Sequence, residues 1–461
     1  MHLSTQVLDK WHRNVYPFLR AEGGSLIVTV DCGSNDGEAV LKAKDAGVDV
    51  VVTDHHEVSE PAPAVALVNP KLGESDDLKS LAGVGVAFKL CHALVKAGLE
   101  DEWPELATLD LRDYLDLVAV GTVADVVPLT GENRTLVRHG LARLNGEPCL
   151  GLRALKEVAG VHSRVSGYHL GFLIGPRINA AGRIETADIA LDLLLEKDPR
   201  HARELASRLD SLNRERKRIE DEILEAAVTQ LGRRPKSVPG GIVVSEEGWH
   251  LGTIGIVSSR LTGLYRVPSA VIAMAKDGMG RGSCRSTEAV DILAVLEECG
   301  DLLETFGGHR MAAGLSIDRS NIEAFARRFD EACAARLEGT DLRHTQRVDA
   351  WITLGEADYT LLNAVDRLRP LGQGNPTPTW GVRGVRPVGP PRVVGKKMAH
   401  LKMTVAAGGS QMDAIAFNMG DVRVPDGALD IVFQLQENTY LGRKKLQLNI
   451  RDFCASQGPR P

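Results

Sequence analysis

Two imidazoles and two carboxylates stand together at Asp54-His55-His56-Glu57, one residue after the apolar run at residues 50–52. Two more acids end apolar stretches: Asp31 in "SLIVTVDCG" and Asp125 in "YLDLVAVGTVADVVPL". In an open parallel sheet, ligands sit outside the carboxyl ends of the strands, so Asp31 and the Asp54-His55-His56 cluster should face one crevice. Asp125 can join them from a nearby helical turn. Three carboxylates and two imidazoles in one crevice repel each other unless a dication is bound. Oxygen donors suit Mg2+ or Mn2+, and an imidazole among them tilts the choice towards Mn2+. On the triplet alone, the competing reading is a turn capped by Asp54 with two surface histidines.

The elements that must hold these groups follow from the apolar pattern. Residues 25–33 and 48–56 are of strand length and flank the helical "DGEAVLKAKDAG", a β-α-β unit whose near-continuous apolar strands predict a parallel sheet covered on both faces. Residues 114–129 predict a helix that breaks at Gly121, with Asp125 in a following turn or a second short helix. Residues 198–231 predict one long charged helix with proline at its second position, a connector rather than a core helix. A second α/β lobe follows, with strands at 240–247 and 269–276 around a helix from about Gly252 to Leu264. From about residue 340 short strands separated by Gly and Pro turns predict a small antiparallel barrel.

The 461 residues are too many for one ordinary core and predict several domains. With 43% hydrophobic and 25% charged residues and no run of about eighteen apolar ones, the chain reads as soluble, with no membrane span. No signal pattern opens it, which argues for the cytoplasm. Its seven cysteines (Cys32, Cys91, Cys149, Cys284, Cys299, Cys333, Cys454) form no CxxC pair, which argues against a disulfide framework or a thiolate zinc site. The net charge of −6 hides a local contrast. Arg367, Arg369, Arg383, Arg386, Arg392, Lys396, Lys397 and Lys402 span a stretch without a single Asp or Glu, which fits either a solvated face or a polyanion-binding surface.

"VDCG", "TDHH" and "VADVVPL", in this order and spacing, resemble the metal motifs of the DHH phosphoesterase superfamily. "GPRINAAGR" (175–183), "WHLGTIGIVSSRL" (249–261), "GRGSCRS" (280–286), "FGGHRMAAG" (306–314) and "LRPLGQGNPTPTW" (368–380) are similar to the RecJ family of bacterial single-strand-specific exonucleases. The resemblance runs from about residue 20 to the C-terminus. It implies Asp31, His55 and Asp125 as metal ligands, His56 as the histidine contacting the scissile phosphate, and Asp54 as the carboxylate orienting the histidines. It implies phosphate or DNA contacts at Arg177, Asn179, Arg183, Ser283, Arg285, Gly307, Gly308 and His309, with Arg177 and Arg183 holding the 5′ end. The barrel becomes an OB-fold that binds single strands through a basic groove and aromatic stacking, with Trp380, Lys396, Lys397, Lys402, Tyr440 and Arg443 as its candidates.

The expected fold is therefore α/β: a parallel-sheet DHH domain (1–190), a connector helix (191–235), a DHH-associated substrate-binding domain (236–338) and an OB-fold barrel (339–461). The implied activity is 5′→3′ hydrolysis of single-stranded DNA in repair and recombination, with two Mn2+ or Mg2+ ions. The implied partners are single-stranded DNA and a helicase or single-strand-binding protein, for a monomeric enzyme. One departure stands out. Family members carry an Asp-x-Asp motif on a strand before "VDCG", whereas here Asp9 stands alone in residues 1–24. The chain is expected to begin part-way into its first domain, and as written to show little exonuclease activity and poor solubility. The alternatives are a small-nucleotide phosphodiesterase of the same superfamily and an inactive single-strand-binding scaffold.

Overall fold

The computed structural model describes residues 23–232, 240–340, 345–395, 398–440 and 443–456. By contacts the chain divides into two units. One is built on Leu144–Val165 and the chain from His169 onward through the second α/β lobe. The other combines the chain before residue 144, Ser166–Tyr168 and the C-terminal barrel. The sequence-drawn first domain is thus shared between both units.

In the unit holding the barrel, β1 (Leu26–Val30), α1 (Gly37–Asp45), β2 (Asp49–Thr53) and β3 (Ala66–Val68) form a parallel sheet in the order β1-β2-β3. Val40, Ala43, Val48, Val50 and Val52 close its small core. Only part of the expected two-sided burial is realised. β1 is an edge strand among the described residues, and Leu26, Val28 and Val30 on its outer side are about half exposed. Three helices follow: α2 (Gly83–Glu100), α3 (Leu115–Ala124) and α4 (Gly131–Asn145). Helix α3 does not break at Gly121. A Cβ there would lie 2.8 Å from Val84 Cγ1, so this glycine lets α2 and α3 approach closely.

The other unit is organised by a single long helix. α5 (Leu150–Val158), α6 (Gly175–Ile184) and α7 (Asp188–Leu195) pack along α8 (Pro199–Gly232). The charged α8 is more than a spacer. Asp210, Asn213, Arg216 and Glu220 are all buried on its inner side, where Arg216 donates to Glu220 and Asn213. A five-stranded sheet follows in the order β4-β5-β6-β8-β7: β4 (Ile242–Glu247), β5 (Ser269–Met274), β6 (Met279–Arg285), β7 (Thr305–His309) and β8 (Ala312–Asp318). α9 (Leu251–Tyr265), α10 (Ile292–Glu298) and α11 (Ile322–Leu337) pack around it, over a core that includes Phe325, Phe329 and Ile272.

The barrel starts at β9 (Ala350–Trp351) and passes through α12 (Tyr359–Asp366). Its strands are β10 (Trp380–Pro387), β11 (Arg392–Val394), β12 (His400–Ala407), β13 (Ser410–Ala416), β14 (Leu429–Tyr440) and β15 (Arg443–Ala455). They run in the order β11-β12-β13-β15-β14-β10-β9, and a β10–β12 pairing closes the sheet on itself. Alternation places Leu401, Met403, Val405, Phe433, Leu448 and Ile450 inside. No helix among the described residues is long and apolar enough to cross a membrane.

Candidate metal centre

β1 and β2 pair in register, so their carboxyl ends lie side by side and carry Asp31 and Asp54 onto one edge. The ends are stitched together: Thr53 Oγ1 donates to Thr29 O at 2.7 Å, and the Asp31 amide donates to Thr53 O at 2.9 Å. Asp31 itself has φ +67°, in the left-handed region, which turns its carboxylate out of the strand direction. That carboxylate rests against the first turn of α2, where the helix dipole favours an anion.

Asp54 does not face the crevice. It is buried at 2% exposure, and its carboxylate accepts from the amides of Ser34, His55 and His56 and from His56 Nδ1 at 2.7 Å. Burial opposes its ionisation, but the hydrogen bonds from the His56 ring and the three amides outweigh it and hold the carboxyl well below the usual range. An ionised carboxylate only accepts, so His56 Nδ1 carries a proton, and in the neutral ring Nε2 keeps its lone pair. The same Asp54 contact raises the His56 pKa. Buried Asn69 completes the turn, donating to Ser34 Oγ at 2.9 Å and to His56 O at 3.0 Å.

His55 Nε2 is buried, 3.0 Å from Asp31 Oδ1 and 3.5 Å from Asp125 Oδ2, yet has no well-formed hydrogen bond. The Asp31 carboxylate raises the His55 pKa, and burial raises that of Asp125. Ligand atoms of Asp31, His55 and His56 all lie within 4.8 Å of one another. An orphaned imidazole nitrogen between two carboxylates is the arrangement a divalent ion completes, and this O/N donor set fits Mn2+ or Mg2+. His56, read from the sequence as a phosphate contact, thus also stands within ligating distance. Burial and the charges of Asp54, Asp36 and Asp31 push the neighbouring Cys32 thiol up to about 11.

Three of the other expected contacts gather in the second unit. Ser283 and Arg285 stand on β6 facing α9. Gly255 makes room for both, because a Cβ there would lie 3.0 Å from Ser283 Oγ and 3.1 Å from Arg285 Nη2. Burial lowers the Arg285 pKa, and its hydrogen bonds go to Ser283 Oγ and Cys284 O, with no carboxylate partner among the described residues. Arg183 donates to Gly252 O at 3.1 Å at the start of α9. Gly307, Gly308 and His309 form the exposed edge strand β7, with Gly308 at φ +147° against Ala312 and Ala313. Asn179 is exposed on α6. Arg177 differs: it is tied to Asp210 Oδ1 at 2.9 Å and to Leu173 O at 2.6 Å, so its guanidinium is spent on joining α6 to α8.

The barrel candidates divide as well. Trp380 is half-buried against the barrel core with its Nε1 enclosed, so it is not the open platform expected of it. Trp351, which the sequence reading passed over, is 47% exposed, and the Arg383 guanidinium lies 4.5 Å from its ring centroid. Its ring lies over Gly381, where a Cβ would meet it at 2.5 Å. A Trp-x29-Gly-x-Arg pattern carries no local signal, so only strand pairing reveals it. Lys402 stands directly across from Arg392, and among the described residues neither has an ion-pair partner. Lys396 and Lys397 lie outside the described residues, as do the side chains of Tyr440 and Arg443.

Comparisons with known proteins agree with this arrangement. Residues 2–122 match the DHH family, N-terminal domain, residues 239–335 the DHHA1 domain, and residues 348–452 the RecJ OB domain. The single-stranded-DNA-specific exonuclease RecJ of Escherichia coli (strain K12) is 36% identical over 97% of this chain and 79% of its own length. That of Bacillus subtilis (strain 168) is 36% identical over 95% of this chain, which spans 55% of that relative. Crystal RecJ from Thermus thermophilus in complex with Mn2+ superposes with a TM-score of 0.80 at 31% identity, covering 97% of this chain and 64% of that one. Its Mg2+ complex gives 0.75. With three domain matches in order and more than a third of residues shared across most of its length, the chain belongs to the RecJ family of the DHH phosphoesterases.

Proposed function

We propose that this chain hydrolyses single-stranded DNA from its 5′ end with a divalent ion held by Asp31, His55 and Asp125. The observation that carries the reading is the orphaned His55 Nε2 set between two carboxylates at the carboxyl ends of paired parallel strands. When bound, the ion supplies neutralisation of phosphate charge and a water of lowered pKa. The chain's own groups do the rest. Asp54 orients the His56 ring through Nδ1; its Nε2 can meet the ion when the ring is neutral, or donate to the scissile phosphate when the ring is protonated. Arg285 and Ser283 offer an unpaired charged fork and a hydroxyl for another phosphate. The barrel, with Trp351-Arg383 and the Arg392–Lys402 pair, fits a polymer substrate better than a small nucleotide. The same reading places the protein in the cytoplasm as a monomer acting on strands that a helicase or single-strand-binding protein presents.

The test is digestion of single-stranded DNA labelled at either end, with Mn2+ and with a chelator. Stepwise loss from the 5′ end that needs Mn2+ and vanishes in His56→Ala supports the reading and would overturn the expectation, drawn from the lone Asp9, of little activity in the chain as written. Cleavage confined to dinucleotides would favour the small-nucleotide reading. Binding without cleavage in either metal would favour the scaffold.

A further inference from the structure

The segment that follows Asp125 is strained and is held from outside. Val126 adopts φ +60°, a conformation that β-branched residues avoid, with its side chain 65% exposed and no core packing to hold it. Such a residue persists only where the chain on both sides is fixed. On the N-terminal side helix α3 fixes it, through the Asp125 amide donating to Gly121 O at 2.9 Å. On the C-terminal side buried Asn133 Nδ2 donates to Pro128 O at 3.0 Å, and a second anchor comes from far along the sequence. The Leu129 amide donates to Gln373 O at 2.7 Å, and Arg134 Nη2 donates to Leu368 O at 3.0 Å. The partner is the loop between α12 and β10, part of "LRPLGQGNPTPTW".

This loop is shaped for the contact. Gly372 and Asn375 exchange backbone hydrogen bonds, and Asn375 Nδ2 donates to Leu368 O and Pro370 O, so the loop is tied together by its own hydrogen bonds. A Cβ on Gly372 would lie 2.8 Å from Leu129 Cδ1, and one on Gly374 would lie 2.8 Å from Pro128 Cβ. Gly374 also has φ +70°. Both glycines are therefore needed for the loop to sit flush on Pro128-Leu129.

The geometry points to a positioning role: the loop Leu368–Asn375 braces the Val126–Leu129 segment and so holds the carboxylate of Asp125 beside His55. The barrel domain would in this way contribute to the metal centre without supplying a ligand. Release of Leu129 lets Val126 relax towards negative φ and turns the helix end that carries Asp125. This inference rests on the metal-centre reading above, and the experiment separates the two.

Mn2+ affinity is read from free Mn2+ by electron paramagnetic resonance, with circular dichroism and DNA binding in chelator as controls. Gly374→Ala is expected to weaken Mn2+ binding about tenfold, the range of losses seen when a ligand's supporting contacts are removed. Arg134→Ala should weaken it less, and neither should change DNA binding. In a Val126→Gly background, where positive φ is free of strain, the Gly374→Ala loss should largely disappear. A structural defect alone would not be rescued in this way. A folded Gly374→Ala protein with unchanged Mn2+ affinity overturns the brace. If that variant does not fold, unchanged affinity in Arg134→Ala overturns it. A wild-type chain that takes up no Mn2+ overturns the metal centre, and the brace with it.

Discussion

The carboxylate of Asp31 occupies the place where a side chain on Gly83 would begin: a Cβ there would lie 2.1 Å from Asp31 Oδ1. The first residue of α2 is thus the seat of the candidate ligand Asp31, and its lack of a side chain is what lets the left-handed Asp31 reach towards His55.

Gly83→Ala should therefore weaken Mn2+ binding about tenfold or more, because Asp31 must leave its position. Alanine is the better helix former, so thermal stability should hold. Calorimetric titration with Mn2+ beside a melting curve checks this. Unchanged affinity in a normally melting variant would show that Asp31 can be held elsewhere.

On the barrel, Trp351→Ala should weaken single-strand binding by about 1–3 kcal/mol if the ring stacks on a base. Trp380→Phe, within the barrel core, should leave binding nearly unchanged. Titration of a fluorescent oligonucleotide reads both, and the reverse ranking would return the platform to Trp380. Lys402→Ala and Arg392→Ala should each flatten the salt dependence by up to about one unit of slope per lost phosphate contact.

Within α8, Asp210→Ala leaves the Arg177 guanidinium without its carboxylate at a site where both side chains are nearly buried. Breaking such a pair from one side costs about 3–5 kcal/mol. Denaturant unfolding should show that loss, and it should shrink in Arg177→Met/Asp210→Leu, where neither charge remains. A loss below about 1 kcal/mol would mean that Arg177 is free enough to serve a phosphate, as the sequence reading had it.

Legibility from sequence followed the range of the interactions. Asp54-His55-His56 is a local motif: its carboxylate serves amides one and two residues away, and the strand before it ends where the apolar run ends. The parallel β1–β2 pairing, the long α8 and the barrel strands likewise follow from period and composition, because they bury a regular apolar pattern. The family match rests on the same short, contiguous stretches. Contacts between distant segments were not legible. Nothing in "GVGVAF" marks Gly83 as the seat of Asp31, far earlier in the chain, because the constraint is steric and arises only when α2 packs across β1. Arg177 looked free beside its glycines until α8 brought Asp210 against it. Trp351 and Trp380 are equally apolar in sequence, and strand pairing alone decided which is half-buried against the barrel core and which is the more exposed. Residue types could thus name the chemistry, whereas side-chain availability depends on what the packed chain leaves uncovered, a property of non-local distances that no local pattern encodes.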